Sequence, residues 1–439
     1  MHAPAPEPTR LARFYPWYVV AVLLLINALS YLDRQVMSIL VSPIQADLGF
    51  SDTQIGLLLG PAFMVLFVLA GMPMGRIADQ HNRARLLCFG VLVWSAGTVF
   101  TGLSSSFTGM LVARAAVGLG EACVVPAAFS LISDTFAPEK RGRAASWVTV
   151  GLPIGAASAL FGGGMMLKWA EGLDGAALPL IGVRAPWEIV LISFGAVGVI
   201  VALLALTLRE PRRTRVPGAE TVAEVAGFTP FLRRYKGPLT FILLPYVLLT
   251  YMQVAVILWV PTLLTRRHGM DPADAATLYG VITLTIPVLA ATSGGWIADW
   301  LLRRRAAGPF LLVTWLSPLY LPGVLFFTLG QSLPVAVLGL CIISLVGGVC
   351  STTVYASIQN VAPAQFRGRI LALFNLLAQL AGIGLGPLLV ALVTDNLFAD
   401  RSMLHLAMIV AVAPACIVTS VCGVIGRRHF AAMRALTRN

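Results

Sequence analysis

The chain has 439 residues, of which 58% are hydrophobic and 11% charged, with a formal net charge of +12. Soluble domains carry roughly 25% charged residues, so a soluble globular enzyme is excluded and a polytopic membrane protein is indicated. The basic residues lie in short clusters between apolar stretches, a pattern of membrane topology rather than of a nucleic-acid surface.

The leader MHAPAPEPTRLAR is polar and Pro-rich and runs straight into a full-length apolar stretch. It lacks a cleavage site and is expected to stay as a tail over residues 1–16. Twelve apolar spans follow, at about 17–41, 54–77, 85–103, 107–133, 145–169, 187–208, 239–264, 275–300, 309–330, 333–360, 369–395 and 403–426. They are too long, and alternate too little, for barrel strands of about 10 residues. In lipid every backbone group must be satisfied within the segment, so the spans are expected to be helices. Basic residues concentrate on every second loop, which places both termini in the cytoplasm.

The longest inner connection contains REPRRTRVPGAE and FLRRYKG. It reads as a cytoplasmic linker, residues 209–237, between six-helix halves at 17–208 and 238–426, with a second tail at 427–439. The halves share a repeat. Gly75-Arg76-Ile77-Ala78-Asp79, with basic residues through Arg85, recurs as Gly295-Trp296-Ile297-Ala298-Asp299 followed by Arg303-Arg304-Arg305. Ala137-Pro138 before Arg141-Gly142-Arg143 recurs as Ala362-Pro363 before Arg367-Gly368-Arg369. The fold class expected is therefore an all-α membrane protein of twelve helices in two pseudo-symmetric halves, as in transporters built from parallel repeats.

Asp33 and Arg34 sit side by side within the first span, in the sequence Tyr31-Leu32-Asp33-Arg34. A charge there costs about 2.5–3.5 kcal/mol on insertion scales and marks a functional candidate. The fourth span carries Arg114 and Glu121, seven residues apart and so on one face, two turns apart. A buried carboxylate that gains or loses an arginine partner can take up a proton in one state and release it in another. Arg34 and Arg114 stay charged and suit an anionic head such as phosphate or carboxylate. A static salt bridge fixing helix register is the plainer alternative. Two acids and two arginines on two helices exceed what register needs.

In the first inner loop, Gly75 is expected to permit close packing. Asp79 is expected to meet a helix amino terminus or an arginine as a conformational latch, with Arg83 and Arg85 following. Tyr31, Tyr251, Gln253, Tyr355 and Asn375 are candidates for a polar cavity lining, although interhelical hydrogen bonding is the commoner role for such groups. The six cysteines all fall in apolar spans without CxxC spacing, so neither a disulfide framework nor a metal site is expected. There is no HExxH, GxSxG or Walker-type sequence, which argues against an intramembrane enzyme and against direct ATP drive. A ligand sensor that has lost transport is not excluded.

The repeated Gly-x-x-x-Asp loop, the stretch RAAVGLG and the two six-span halves resemble the major facilitator superfamily over about Trp17 to Arg427. NALSYLDRQVMS, SDTQIGLL and RAAVGLGEA more narrowly resemble its Spinster branch, the bacterial relatives of lysolipid and sphingosine-1-phosphate exporters. That resemblance implies proton-coupling roles for Asp33 and Glu121 and substrate or relay roles for Arg34 and Arg114. It also implies a cytoplasmic gate of Gly75, Asp79, Arg83, Asp134 and Arg143. YLDR and RxxxGxGEA are also similar to organic-anion/proton symporters, for which the substrate would be a sugar acid. Gln80, Asn82 and Trp300 depart from the superfamily's loop pattern, which implies a weaker latch in the second half. The resemblance implies a monomer in the inner membrane that moves an amphiphilic small molecule through the lipid bilayer. It implies no cofactor beyond the proton and no nucleic-acid partner.

Overall fold

The computed structural model describes residues 10–173, 177–178, 182–211, 222–305 and 307–436. Among them, twelve helical segments are long and apolar enough to cross a membrane. In chain order they are span 1 (Phe14–Leu48), span 2 (Asp52–Gln80), span 3 (Arg83–Leu103), span 4 (Phe107–Thr135), span 5 (Glu139–Glu171) and span 6 (Pro186–Leu206). Span 7 (Gly227–Ile257), span 8 (Pro272–Arg304), span 9 (Phe310–Leu329), span 10 (Leu333–Val361), span 11 (Arg367–Phe398) and span 12 (Arg401–Ala435) follow. The twelve-helix fold is the one expected. A two-residue antiparallel strand pair, Ala177–Leu178 with Gly182–Val183, lies between spans 5 and 6.

Most of the helices overrun their apolar stretches, because backbone hydrogen bonding continues past the hydrocarbon-length core. Val222–Ile257 is helical on both sides of a kink at Tyr235, so the later part of the expected linker 209–237 is helix. Residues 212–221 of that linker, 1–9 of the first tail and 437–439 of the second lie outside the described residues. Caps set several starts. Ser51 and Gln54 form a reciprocal capping box ahead of span 2, with Gln54 N donating to Ser51 Oγ at 3.2 Å and Ser51 N donating to Gln54 Oε1 at 2.9 Å. Asn82 caps span 3 by accepting from Arg85 N at 2.9 Å. Asn82 therefore serves as the helix cap there.

The chain forms two compact units: Met1–Val36 with Val65–Arg215, and Met37–Met64 with Val216–Asn439. The second unit takes in the carboxy-terminal part of span 1 and the start of span 2, which sequence alone assigns to the amino-terminal half. In the first unit span 3 packs on spans 4 and 6. In the second, span 9 packs on spans 10 and 12.

Three irregularities place the chemistry. Span 4 is two helices, Phe107–Glu121 and Val124–Thr135. The break falls four residues before Pro126, which has no N–H for the Ala122 carbonyl. Span 11 contains a wide π-helical turn at Leu380–Leu385. Span 7 leaves helical geometry at Tyr235, three residues before Pro238.

Candidate functional site

Asp33, Arg114 and Glu121 are 3%, 2% and 1% exposed, so the first unit buries them rather than turning them to lipid. Arg114 donates from Nη1 to Asp33 Oδ2 at 2.8 Å. The Thr98 hydroxyl of span 3 donates to Asp33 Oδ1. Arg34 donates to Glu121 Oε2 from Nε at 2.7 Å and from Nη2 at 2.5 Å. Ser30 Oγ donates to the same oxygen at 2.6 Å. The neighbours Asp33 and Arg34 thus meet different partners. Side chains on a helix lean toward its amino terminus, so the long Arg34 lies back over the turn of Ser30 and reaches the deeper Glu121.

Glu121 sits at the last residue before the break in span 4. Its Oε2 accepts three donors, while its buried Oε1 has no hydrogen-bond partner among the described residues. Spans 3 and 4 meet backbone to backbone beside it: a Cβ at Gly120 would stand 2.6 Å from the Gly90 carbonyl oxygen. The Arg34 side chain keeps 15% exposure, with its guanidinium carbon 5.1 Å from the ring centres of Tyr31 and Phe67. The geometry therefore offers two carboxylates, each held by a permanent cation, with one carboxylate oxygen open to a proton.

At the other end of the first unit, Arg83 is 1% exposed. It donates to Asp134 Oδ2 at 2.6 Å, Ser130 Oγ at 2.8 Å and Glu210 Oε1 at 2.7 Å. The Arg83 backbone N donates to Glu210 Oε2 at 2.7 Å. Of the residues the resemblance implies for a gate, Arg83 and Asp134 form an ion pair, whereas Arg143 is apart from it, 5.3 Å over the Trp17 ring. Asp79 is exposed and has no ion pair among the described residues. A Cβ at Gly75 would meet nothing within 4 Å, so close packing does not account for that glycine. In the second copy of the loop, Arg304 stacks 4.4 Å over Trp300.

In the second unit, Gln253 lines a cavity of about 40 Å³ with Tyr246, Thr250 and Ser351. It lies against Gly347, where any Cβ would collide with its amide. Tyr251 takes the commoner of the two roles open to it. It is buried and its hydroxyl donates to the Ala411 carbonyl at 3.1 Å, a helix-packing bond. Tyr355 and Asn375 are exposed on spans 10 and 11.

Sequence reasoning missed one network. Asp52, fully buried, receives Arg266 through Nη1 at 2.8 Å and Nη2 at 2.6 Å. Gln45 joins both, donating to Asp52 at 2.7 Å and accepting from Arg266 at 2.7 Å. Thr53 N donates to Asp395 Oδ2 at 2.6 Å, and Arg401 donates to the Phe50 carbonyl at 2.8 Å. The capping box at Ser51–Gln54 was the only local signal. Arg266 is 214 residues from Asp52, beyond any spacing rule.

The pattern of the Major Facilitator Superfamily matches residues 23–387. An MFS-type efflux pump of Mycolicibacterium smegmatis is 26% identical over 92% of this chain and 91% of its own length. The hexuronate transporter of Bacillus subtilis is 24% identical over 86% of this chain and 88% of its own. The crystal structure of a bacterial homologue of the human lysosomal transporter Spinster, inward-facing and unoccupied, matches with TM-score 0.78. It is 25% identical and covers 99% of this chain and 98% of that one.

Proposed function

We propose, from the premise that this chain belongs to the Major Facilitator Superfamily and is a multi-pass membrane transporter rather than an enzyme, that it couples protons to the movement of an anionic, lysolipid-like amphiphile by alternating access in the inner membrane. The observation that carries this reading is the crossed pairing of Asp33 with Arg114 and of Glu121 with Arg34.

The coupling follows from charge. Removing one partner of a buried ion pair costs about 3–5 kcal/mol, because the other is left uncompensated. A proton on an acid without an anion on its arginine incurs that cost. So does an anion on the arginine without a proton on the acid. Both together incur neither. At 1.4 kcal/mol per factor of ten, either penalty alone makes proton and anion favour each other by at least about 10²-fold. Asp33 and Glu121 take the proton in this account, and Arg114 and Arg34 the anionic head. Around Gln253 the second unit offers only neutral polar groups and apolar wall, which suits a tail better than a second charge.

The similarity to a hexuronate transporter supports a second reading, an organic-anion/proton symporter using the same four residues. Uptake into reconstituted vesicles, with lysophospholipids and sugar acids compared with and without an imposed pH gradient, separates the two. Gradient-driven uptake of lysophospholipids alone is expected. Uptake of sugar acids with no response to lysophospholipids would reject the amphiphile.

A further inference from the structure

Spans 7 and 11 leave an apolar groove between them within the second unit, a cavity of about 490 Å³, in the size range of ligand sites. Lys236, Thr240, Leu243 and Val247 line it from span 7, and Leu373 and Leu377 from span 11. The eleven residue steps from Lys236 to Val247 rise about 16 Å. That is the depth of one leaflet in a hydrocarbon core of about 30 Å. The groove therefore runs the length of one acyl chain.

Its charge lies at one end. Lys236 follows the bend at Tyr235 and lines the groove near one end, with Leu232 the lining residue of span 7 beyond it. It is exposed, and its ammonium has no hydrogen bond or ion pair among the described residues. No Asp or Glu occurs between Val225 and Met270 or between Val361 and Thr394, so neither lining helix supplies a carboxylate along the groove. A leaflet-length apolar wall with Lys236 as the cation among its lining residues complements an acyl chain beneath an anionic head.

We propose that this groove binds one anionic phospholipid of the leaflet on the Lys236 side, with its phosphate on the Lys236 ammonium and one acyl chain along Leu243, Val247, Leu373 and Leu377. The lipid is a resident of the bilayer and not the cargo. The site shares no residue with the Asp33–Arg114 and Arg34–Glu121 pairs.

The test is native mass spectrometry of the full-length protein exchanged into equimolar phosphatidylglycerol and phosphatidylethanolamine. The wild type should retain phosphatidylglycerol about fivefold over phosphatidylethanolamine, the effect of one lysine at a membrane surface. Lys236→Gln should bring that ratio near one, and Lys236→Arg should keep it. Leu377→Trp, or Leu373→Trp should the first not fold, should reduce both lipids by filling the groove. Asp33→Asn should leave the ratio as in the wild type, so loss of coupling and loss of lipid are read separately. An unchanged ratio in Lys236→Gln, or unchanged occupancy in the tryptophan variants, would overturn the proposal. So would displacement of phosphatidylglycerol by lysophosphatidylglycerol together with loss of lysolipid transport in the tryptophan variants, which would make the groove a cargo site.

Discussion

Arg114 and Asp33 are joined side chain to side chain at 2.8 Å, and the same two spans carry a second pair, Arg34 and Glu121, with donor and acceptor exchanged between the helices. Each helix supplies one acid and one arginine, so a shift in register would break both pairs. The arginines cannot lose a proton, which leaves the acids as the groups able to switch.

Arg114→Ala should lower the apparent unfolding temperature in detergent and weaken substrate binding. It strands a buried carboxylate at a cost of about 3–5 kcal/mol. Adding Asp33→Asn should restore much of the stability without restoring binding, because it removes the stranded charge. A double variant no more stable than Arg114→Ala alone would show that the two residues are not coupled.

Asp33→Asn alone should abolish pH-gradient-driven uptake and leave counterflow exchange at least partly intact, since asparagine keeps the shape and loses the proton site. Full gradient-driven uptake in reconstituted vesicles would reject the proton role.

In the alternating-access cycle proposed above, Asp52 with Arg266 is a latch that the ends of spans 1 and 2 release at one point of the cycle. Hydrogen bonds to charged groups contribute about 1.5–3 kcal/mol, so Asp52→Asn should favour the released state by roughly 10- to 100-fold. Ile44 is fully buried beside Gln45. In a Cys341→Ser background, Ile44→Cys should react faster with an impermeant thiol reagent once Asp52→Asn is added. Equal labelling rates would remove the latch.

Glu210 is bonded by both the backbone N and the side chain of Arg83, whereas Arg143 only stacks on Trp17. Glu210→Ala should cost about 1–3 kcal/mol, and Arg143→Ala about 0.5–1 kcal/mol. Thermal unfolding of the two variants side by side checks the order. A larger loss in Arg143→Ala would return that residue to the Asp134 network.

The helices were legible because hydrocarbon length and backbone satisfaction leave few choices. The four charges were legible because each violates the composition around it. Their crossed pairing was not, since Asp33 and Arg34 are one residue apart and only the lean of the side chains separates their partners. Glu210 lies in the expected linker 209–237, and nothing local shows that it folds back on Arg83. Tyr251 marks a choice that sequence leaves open. A tyrosine in an apolar span carries one hydroxyl whether it lines a cavity or bonds the Ala411 carbonyl, and only the fold decides.

The account rests on one linkage, that anion and proton arrive together. Titration of purified protein with lysophosphatidylglycerol in buffers of differing ionisation enthalpy measures the protons exchanged on binding. Net proton uptake is predicted for the wild type, falling in both Asp33→Asn and Glu121→Gln, with binding that tightens as pH falls. Binding of the same strength with no proton exchange, or with proton release, would contradict it.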